Sequence, residues 1–116
     1  MAIHAAARAR RFLSYGDVAA ASGLPWSAAR RRMDPHLFGL CRWAAERGWP
    51  LLSVIVVDKP AVPHGVMRGR PLIGFARAAE RLGRIVGPDA AAFLAEEQER
   101  VFEWAAKEPF AHDLHA

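Results

Sequence analysis

Clustered arginines are the residues of this sequence whose chemistry is easiest to infer. Three are consecutive at positions 30–32, and two more flank a single glycine at positions 68 and 70. Guanidinium groups bind phosphate oxygens, and they can also donate two hydrogen bonds to a guanine edge in the major groove. We therefore predict a nucleic-acid-binding surface, with one or two of the three consecutive arginines directed at bases and the others at phosphates. The residues assigned to this surface are Arg30, Arg31, Arg32, Arg68, Arg70, Arg8 and Arg11.

The distribution of charge along the chain agrees with such a surface. The 116 residues carry a net charge of +4. Residues 1–88 contain 14 Arg and Lys against 5 Asp and Glu, a net charge of +9, whereas residues 89–116 contain 2 against 7, a net charge of −5. A basic body gains affinity for nucleic acid because binding releases the counterions of the phosphates.

A metal-dependent nuclease is the enzymatic alternative. Asp58, Lys59 and His64 lie close together after an apolar segment. Such enzymes need two or more carboxylates on the metal, and only Asp58 is available locally. We therefore predict a protein without catalytic residues.

Cysteine and the C-terminal histidines do not change this prediction. Cys41 falls on the apolar face of a predicted helix, which favours a buried core residue over a nucleophile. His112, Asp113 and His115 are potential metal ligands in a segment without fixed geometry. We predict neither a metal nor a cofactor.

The consecutive arginines follow a helix-turn-helix pattern. Ser14 and Asp17 have the spacing of a capping box for a helix over residues 15–22, which Gly23 ends. A second helix over residues 27–32 begins at Ser27 and carries the arginines. Asp and Pro at positions 34 and 35 then predict the start of a separate helix over residues 35–47. Trp26 is interpreted as a core anchor.

The remaining elements follow from hydrophobic spacing. Residues 3–13 predict a first helix, and the apolar run in 49–59 predicts a strand. Residues 59–71 form a loop or the tip of a β-wing, with Val66 and Met67 starting a return strand. Helices are predicted over 71–86, with Ile85 or Val86 in its apolar stripe, and after Asp89. The second carries exposed acids at Glu96, Glu97, Glu99 and Glu103.

Five short motifs occur in a fixed order. They are Tyr15-Gly16-Asp17-Val18-Ala19, Gly48-Trp49-Pro50-Leu51-Leu52, Val56-Val57-Asp58-Lys59, Pro63-His64-Gly65 and Val101-Phe102-Glu103-Trp104. Together they resemble small uncharacterised bacterial proteins and domains, some associated with HNH-type nucleases and mobile elements. The chain also resembles the DNA-binding part of alkyltransferase-like proteins, without the Pro-Cys-His-Arg site of the alkyltransferases. Both resemblances imply a winged-helix-like fold, and neither implies a reaction.

These observations predict one domain over residues 1–116. We expect a mostly helical α+β, winged-helix-like fold with a small sheet, a long C-terminal helix and a flexible tail at 109–116. The sequence has neither a secretory signal nor an apolar run of about 18 residues, so we expect a cytoplasmic protein without membrane contact. The predicted function is non-enzymatic binding of double-stranded DNA, as a regulator or as an accessory protein of a phage or mobile element. The alternative is a small protein-interaction module or an inhibitor of a host nucleoprotein, and a homodimer is a further expectation, since the acidic last helix could pair with the basic surface of a second copy.

Overall fold

The computed structural model describes residues 2–107, which form five α-helices and one small sheet. The helices are α1 Ala2–Arg8, α2 Tyr15–Ala21, α3 Trp26–Glu46, α4 Gly69–Arg81 and α5 Ala90–Lys107, and the strands are β1 Leu13–Ser14 and β2 Val56–Val57. The mostly helical α+β prediction is confirmed. The predicted flexible tail at 109–116 lies outside the described residues.

The core is built around the apolar run that precedes and includes β2. Its members are among the least exposed residues of the described chain: Leu51, Leu52, Val54, Ile55, Val56 and Val57. The prediction of a strand over 49–59 is wrong for most of its length, since Leu52–Ile55 is a 3₁₀ helix. Helices α1, α3 and α5 surround this run, and only the two residues of β1 pair with it, in parallel register. Burial on all sides explains the continuous apolar run, whereas the shortage of partner strands explains the short sheet.

Local signals set the boundaries of α2 as predicted. The backbone N–H of Asp17 donates to Ser14 Oγ, and the N–H of Ser14 donates to Asp17 Oδ2, both at 3.0 Å. These two bonds complete the capping box. Gly23 has φ +75°, a left-handed conformation that ends the helix. The chain turns there, and α3 follows with Pro25 as its N-cap.

Helix α3 continues through Asp34 and Pro35, so the prediction of two separate helices is wrong. Proline removes the backbone hydrogen bond to the carbonyl of Arg31, and Arg31 is exposed, so water can satisfy that carbonyl. The apolar stripe also stays in phase on both sides of the proline, with Ala29 and Met33 before it and Leu37 after it. Burial of one uninterrupted stripe therefore outweighs the local helix-breaking signal.

The segment between β2 and α4 does not form a wing. It contains a 3₁₀ turn at Lys59–Ala61, and Val66 and Met67 are not in a strand, so the predicted return strand is wrong. Within residues 2–107 the sheet consists of β1 and β2 alone. The backbone groups of this segment form hydrogen bonds with side chains and with one another in turns, instead of with a neighbouring strand.

This segment is fixed to the core at Gly65. Nε2 of the buried Gln98 donates to the carbonyl of Gly65 at 2.8 Å and to the carbonyl of Val54 at 2.9 Å. Gly65 has φ +74°, and a Cβ at this position would overlap the ring of Phe12. Only glycine fits here, because any side chain would displace the ring.

The other helix ends differ from the prediction where the chain turns early. Helix α1 ends at Arg8 instead of residue 13, and Arg10 adopts φ +55° before β1 begins. Helix α4 ends at Arg81, so Ile85 lies beyond it and is 90% exposed. The predicted start of the last helix is confirmed, since Asp89 Oδ1 accepts a hydrogen bond from the N–H of Ala92 at 3.0 Å.

No helix within residues 2–107 is both long enough and apolar enough to cross a bilayer.

Candidate nucleic-acid interface

The N-terminal half of α3 projects from the core and presents the consecutive arginines to solvent. Ala29 and Met33 are its only buried residues before Leu37. Successive residues are about 100° apart around a helix, so Arg30 lies beside the buried stripe, Arg31 nearly opposite it and Arg32 on the other flank. All three are exposed. They therefore surround the helix and do not form one flat patch.

A groove of about 820 Å³ separates α3 from α4. Arg30 lines it from α3, and Arg70 lines it from the first turn of α4. These residues are 40 positions apart in the chain, and the fold brings them to one site. In residues 2–107 the ion pairs involve Arg10, Arg84 and Arg100, so neither groove arginine is neutralised by a carboxylate.

The groove also contains an arginine that we did not assign from the sequence. Arg81 lines it from the last turn of α4, and its guanidinium carbon lies 4.5 Å from the centre of the Phe38 ring on α3. Arg81 follows Arg70 by eleven positions, about three helical turns, which places both on one face of α4. This spacing was the signal that could have identified it.

Trp26 belongs to the groove and not to the core. Its side chain is 45% exposed at the first turn of α3, and it lines the groove together with Arg30. The interpretation of Trp26 as a core anchor is wrong, because the core contacts of α3 begin one turn later, at Ala29.

The other predicted arginines lie outside the groove lining. Arg68 is the N-cap residue of α4 and is exposed, two positions before Arg70. Arg8 ends α1, and Arg11 follows in the turn before β1, both exposed. Between them, Arg10 donates to both carboxylate oxygens of Glu99 on α5, at 2.6 and 2.7 Å. The structure thus brings Arg30 and Arg70 together, with Arg68 adjacent, and does not place Arg8 or Arg11 at the groove.

An ion pair with a buried carboxylate attaches α5 to the segment that follows α4. The guanidinium of Arg84 donates to Glu97 Oε2 at 2.6 Å and to Oε1 at 2.7 Å, and the backbone N–H of Leu51 donates to Oε2 at 2.8 Å. The hydrogen bonds to Glu97 raise the pKa of Arg84. The prediction that Glu97 faces solvent is wrong. It lies between Leu94 and Val101 in the apolar stripe of α5, and that spacing was the available signal.

The residues considered for nuclease catalysis are separate from the groove. Within residues 2–107, no three His, Cys, Asp or Glu side chains are grouped as they would be to hold a metal. Nδ1 of His64 accepts a hydrogen bond from the N–H of Val66 at 3.0 Å, which closes a turn. The cluster His112, Asp113 and His115 lies outside the described residues.

Cys41 is buried, as predicted, and its Sγ donates to Ser53 Oγ at 3.0 Å. Burial raises the pKa of the thiol, so less thiolate is present at neutral pH than for an exposed cysteine. This environment is that of a core residue and not of a nucleophile.

No protein-family model matches the chain, and neither the curated proteins nor the solved structures include a significant match.

Proposed function

We propose that this protein binds double-stranded DNA without catalysing a reaction, and that α2, the turn at Gly23 and α3 act as a helix-turn-helix. The first three turns of α3 would enter the major groove, since recognition helices read bases with their N-terminal residues. The exposure of this half of α3 and the packing of α2 against α3 support the proposal. The observation that carries it is the convergence of Arg30 and Arg70 on one groove, where neither has a carboxylate partner in the described chain.

Each arginine has a role in this proposal that follows from its position. Arg30 lies beside the core stripe and lines the groove, and Arg31 lies nearly opposite the stripe, so these two arginines are assigned to groove walls and base edges. Arg32, on the far flank, is assigned to a phosphate. Arg68 and Arg70 stand at the start of α4, where they would contact the backbone as a wing does in a winged helix.

Arg8 and Arg11 are assigned to flanking phosphates, because both are exposed and neither has an ion-pair partner within residues 2–107. A regulator or an accessory protein of a mobile element would use DNA binding of this kind.

The test is fluorescence anisotropy with a labelled duplex of about 20 base pairs, titrated at about 50 and 200 mM salt. If Arg8, Arg11, Arg32, Arg68 and Arg70 contact phosphates, the affinity should fall about 500-fold between these salt concentrations, from a slope of about −0.9 per phosphate. The variant Arg30→Ala/Arg70→Ala should weaken binding and reduce the salt slope by about 1.

The matched control is Arg42→Ala. Arg42 is an exposed arginine on the same helix, outside the groove lining and about 18 Å from Arg30 along the helix axis. It should leave the affinity for the duplex unchanged. Absence of duplex binding at low salt, or equal losses for Arg42→Ala and the double variant, would refute the proposed function.

A further inference from the structure

The groove between α3 and α4 has an apolar floor that phosphate binding does not require. Its volume of about 820 Å³ lies within the range of small-molecule sites, roughly 300 to 1,000 Å³, which are also mostly apolar. A floor of this kind gains free energy by covering apolar surface, whereas a phosphate backbone offers very little. Its exposed and partly exposed apolar residues include Trp26, Pro35, Phe38, Pro71, Phe75 and Leu82.

The charged residues of the groove are almost all cationic. Three arginines, Arg30, Arg70 and Arg81, line it against one acidic residue, Asp34. Arg81 already rests on the Phe38 ring. Of the three arginines that line the groove, Arg30 and Arg70 are therefore free to bind an anion, since neither forms an ion pair within residues 2–107. Two cations beside an apolar floor complement a molecule that has one anionic group and an apolar body.

Gly74 leaves space in the middle of the groove. It lines the groove in the interior of α4, and a Cβ built there would meet no atom within 4 Å. A glycine inside a helix costs about 1 kcal/mol relative to alanine. The groove is therefore open at this point, and a larger side chain would occupy the groove without a clash.

We propose that this groove binds an amphipathic organic anion, with one carboxylate, phosphate or sulfonate group on an aliphatic or aromatic body. The anionic group lies between Arg30 and Arg70, and the body covers the apolar floor beneath Gly74. Binding of the anion does not depend on the proposed DNA function. A second consequence does rest on that function: because Arg30 and Arg70 belong to both surfaces, the anion and DNA weaken each other's binding by the same factor.

The experiment measures anion binding to the full chain by isothermal titration calorimetry. The aliphatic probe is laurate, the aromatic probe is naphthalene-1-acetate, and dodecanol is the uncharged analogue of laurate. We expect saturable binding of at least one anion at a single site and at least about 10-fold weaker binding of dodecanol than of laurate where laurate binds, since a bond to a guanidinium contributes about 1.5 to 3 kcal/mol. Comparison of the two anions identifies the kind of body that the groove accepts.

Matched glycine variants locate the site. Gly74→Leu should weaken anion binding at least about 10-fold, because its side chain occupies the groove. Gly39→Leu is the control: Gly39 is also inside a helix, a Cβ there also meets no atom within 4 Å, and it does not line the groove. It should leave anion affinity unchanged. Circular dichroism and cooperative thermal unfolding establish that both variants fold, and leucine favours helix over glycine at both positions.

Arg30→Gln/Arg70→Gln should weaken binding of the anion and leave dodecanol unaffected. The proposal is overturned if neither anion binds, if dodecanol binds as tightly as laurate, or if Gly39→Leu weakens binding as much as Gly74→Leu.

Failures of the two proposals are distinguishable. Loss of duplex binding with intact anion binding would refute the proposed function alone. Anion binding that leaves duplex affinity unchanged would refute the shared use of Arg30 and Arg70.

Discussion

Removal of the Arg84 guanidinium tests how α5 is attached to the rest of the fold. The variant Arg84→Met keeps most of the apolar part of the side chain and deletes its charge. The Glu97 side chain is 1% exposed, so its carboxylate cannot be rehydrated without local opening. It would keep the bond from the N–H of Leu51 and a longer contact to Arg100, at 3.7 Å.

The expected loss of folding stability follows from the burial of the Glu97 carboxylate, which the variant leaves without its main partner. Breaking a buried ion pair from one side costs roughly 3 to 5 kcal/mol, and we expect about 3 kcal/mol because Arg100 can move towards the carboxylate. At about 4 °C per kcal/mol for a domain of this size, the Tm falls by roughly 12 °C. Glu97→Leu should cost less, about 2 kcal/mol, because the Arg84 side chain is 25% exposed and water can reach its charge.

The assay is urea denaturation followed by tryptophan fluorescence, with a double-mutant cycle. Arg84→Met/Glu97→Leu should cost less than the sum of the single variants, since it leaves no buried charge. Arg100→Met is the control, with an expected change below about 0.5 kcal/mol because this side chain is largely exposed.

Two results would refute this reasoning. One is a loss below about 1 kcal/mol for Arg84→Met, which would mean that water already reaches the Glu97 carboxylate. The other is a double variant whose cost equals the sum of the single costs, because the pair would then contribute no coupling.

Three further predictions concern single residues. Ser14→Ala should destabilise the protein by about 1 kcal/mol in thermal unfolding because it removes the capping box, whereas Ser27→Ala should change stability by less than about 0.3 kcal/mol, since α3 begins before it. Pro35→Ala should raise stability by about 1 to 2 kcal/mol, because it restores a backbone hydrogen bond in the interior of α3 and the gain exceeds the added unfolded-state entropy; an unchanged Tm would contradict this. Cys41 lines the groove but is 5% exposed, so it should react with a thiol reagent at pH 8 more slowly in the native protein than in urea, because burial raises its pKa and lowers the thiolate fraction; equal labelling rates in the two states would disagree. The same shift stabilises the folded state below the ordinary thiol pKa, and this contribution is lost as the pH rises above it.

Local rules predicted the parts of the fold that depend on neighbouring residues. The capping box at Ser14, the stop at Gly23 and the cap at Asp89 each depend on side chains within three or four positions, and all are present. The apolar run at 51–57 shows the limit of such rules. Its composition indicated a buried segment correctly, but whether it forms a strand depends on how many other strands lie beside it.

Pro35 and Glu97 show the same limit of local rules in the converse case, where a local signal is present but the structure does not follow it. Each carries a strong local signal, a helix start for the proline and a solvated charge for the glutamate. Tertiary packing overrides both, through the continuous stripe of α3 and through the partner that Arg84 supplies from beyond the end of α4. The placement of Arg30 and Arg70 on one groove could not be predicted from the sequence either, because it depends on the path of the chain between β2 and α4.

That path has a kinetic and entropic consequence for Arg68 and Arg70. The chain is fixed at Gly65 by Gln98 and by the Phe12 ring, so Arg68 lies only three residues, at most about 10 Å, from an immobile point. Helix α4 then begins at once and fixes the backbone of Arg70. A ligand that binds these two arginines therefore has to order only their side-chain rotamers, because the backbone of the segment is already ordered. This lowers the entropy lost on binding and favours fast association. Substitution of Gly65 would free the segment, and its effect would appear as a slower association rate at an unchanged net charge.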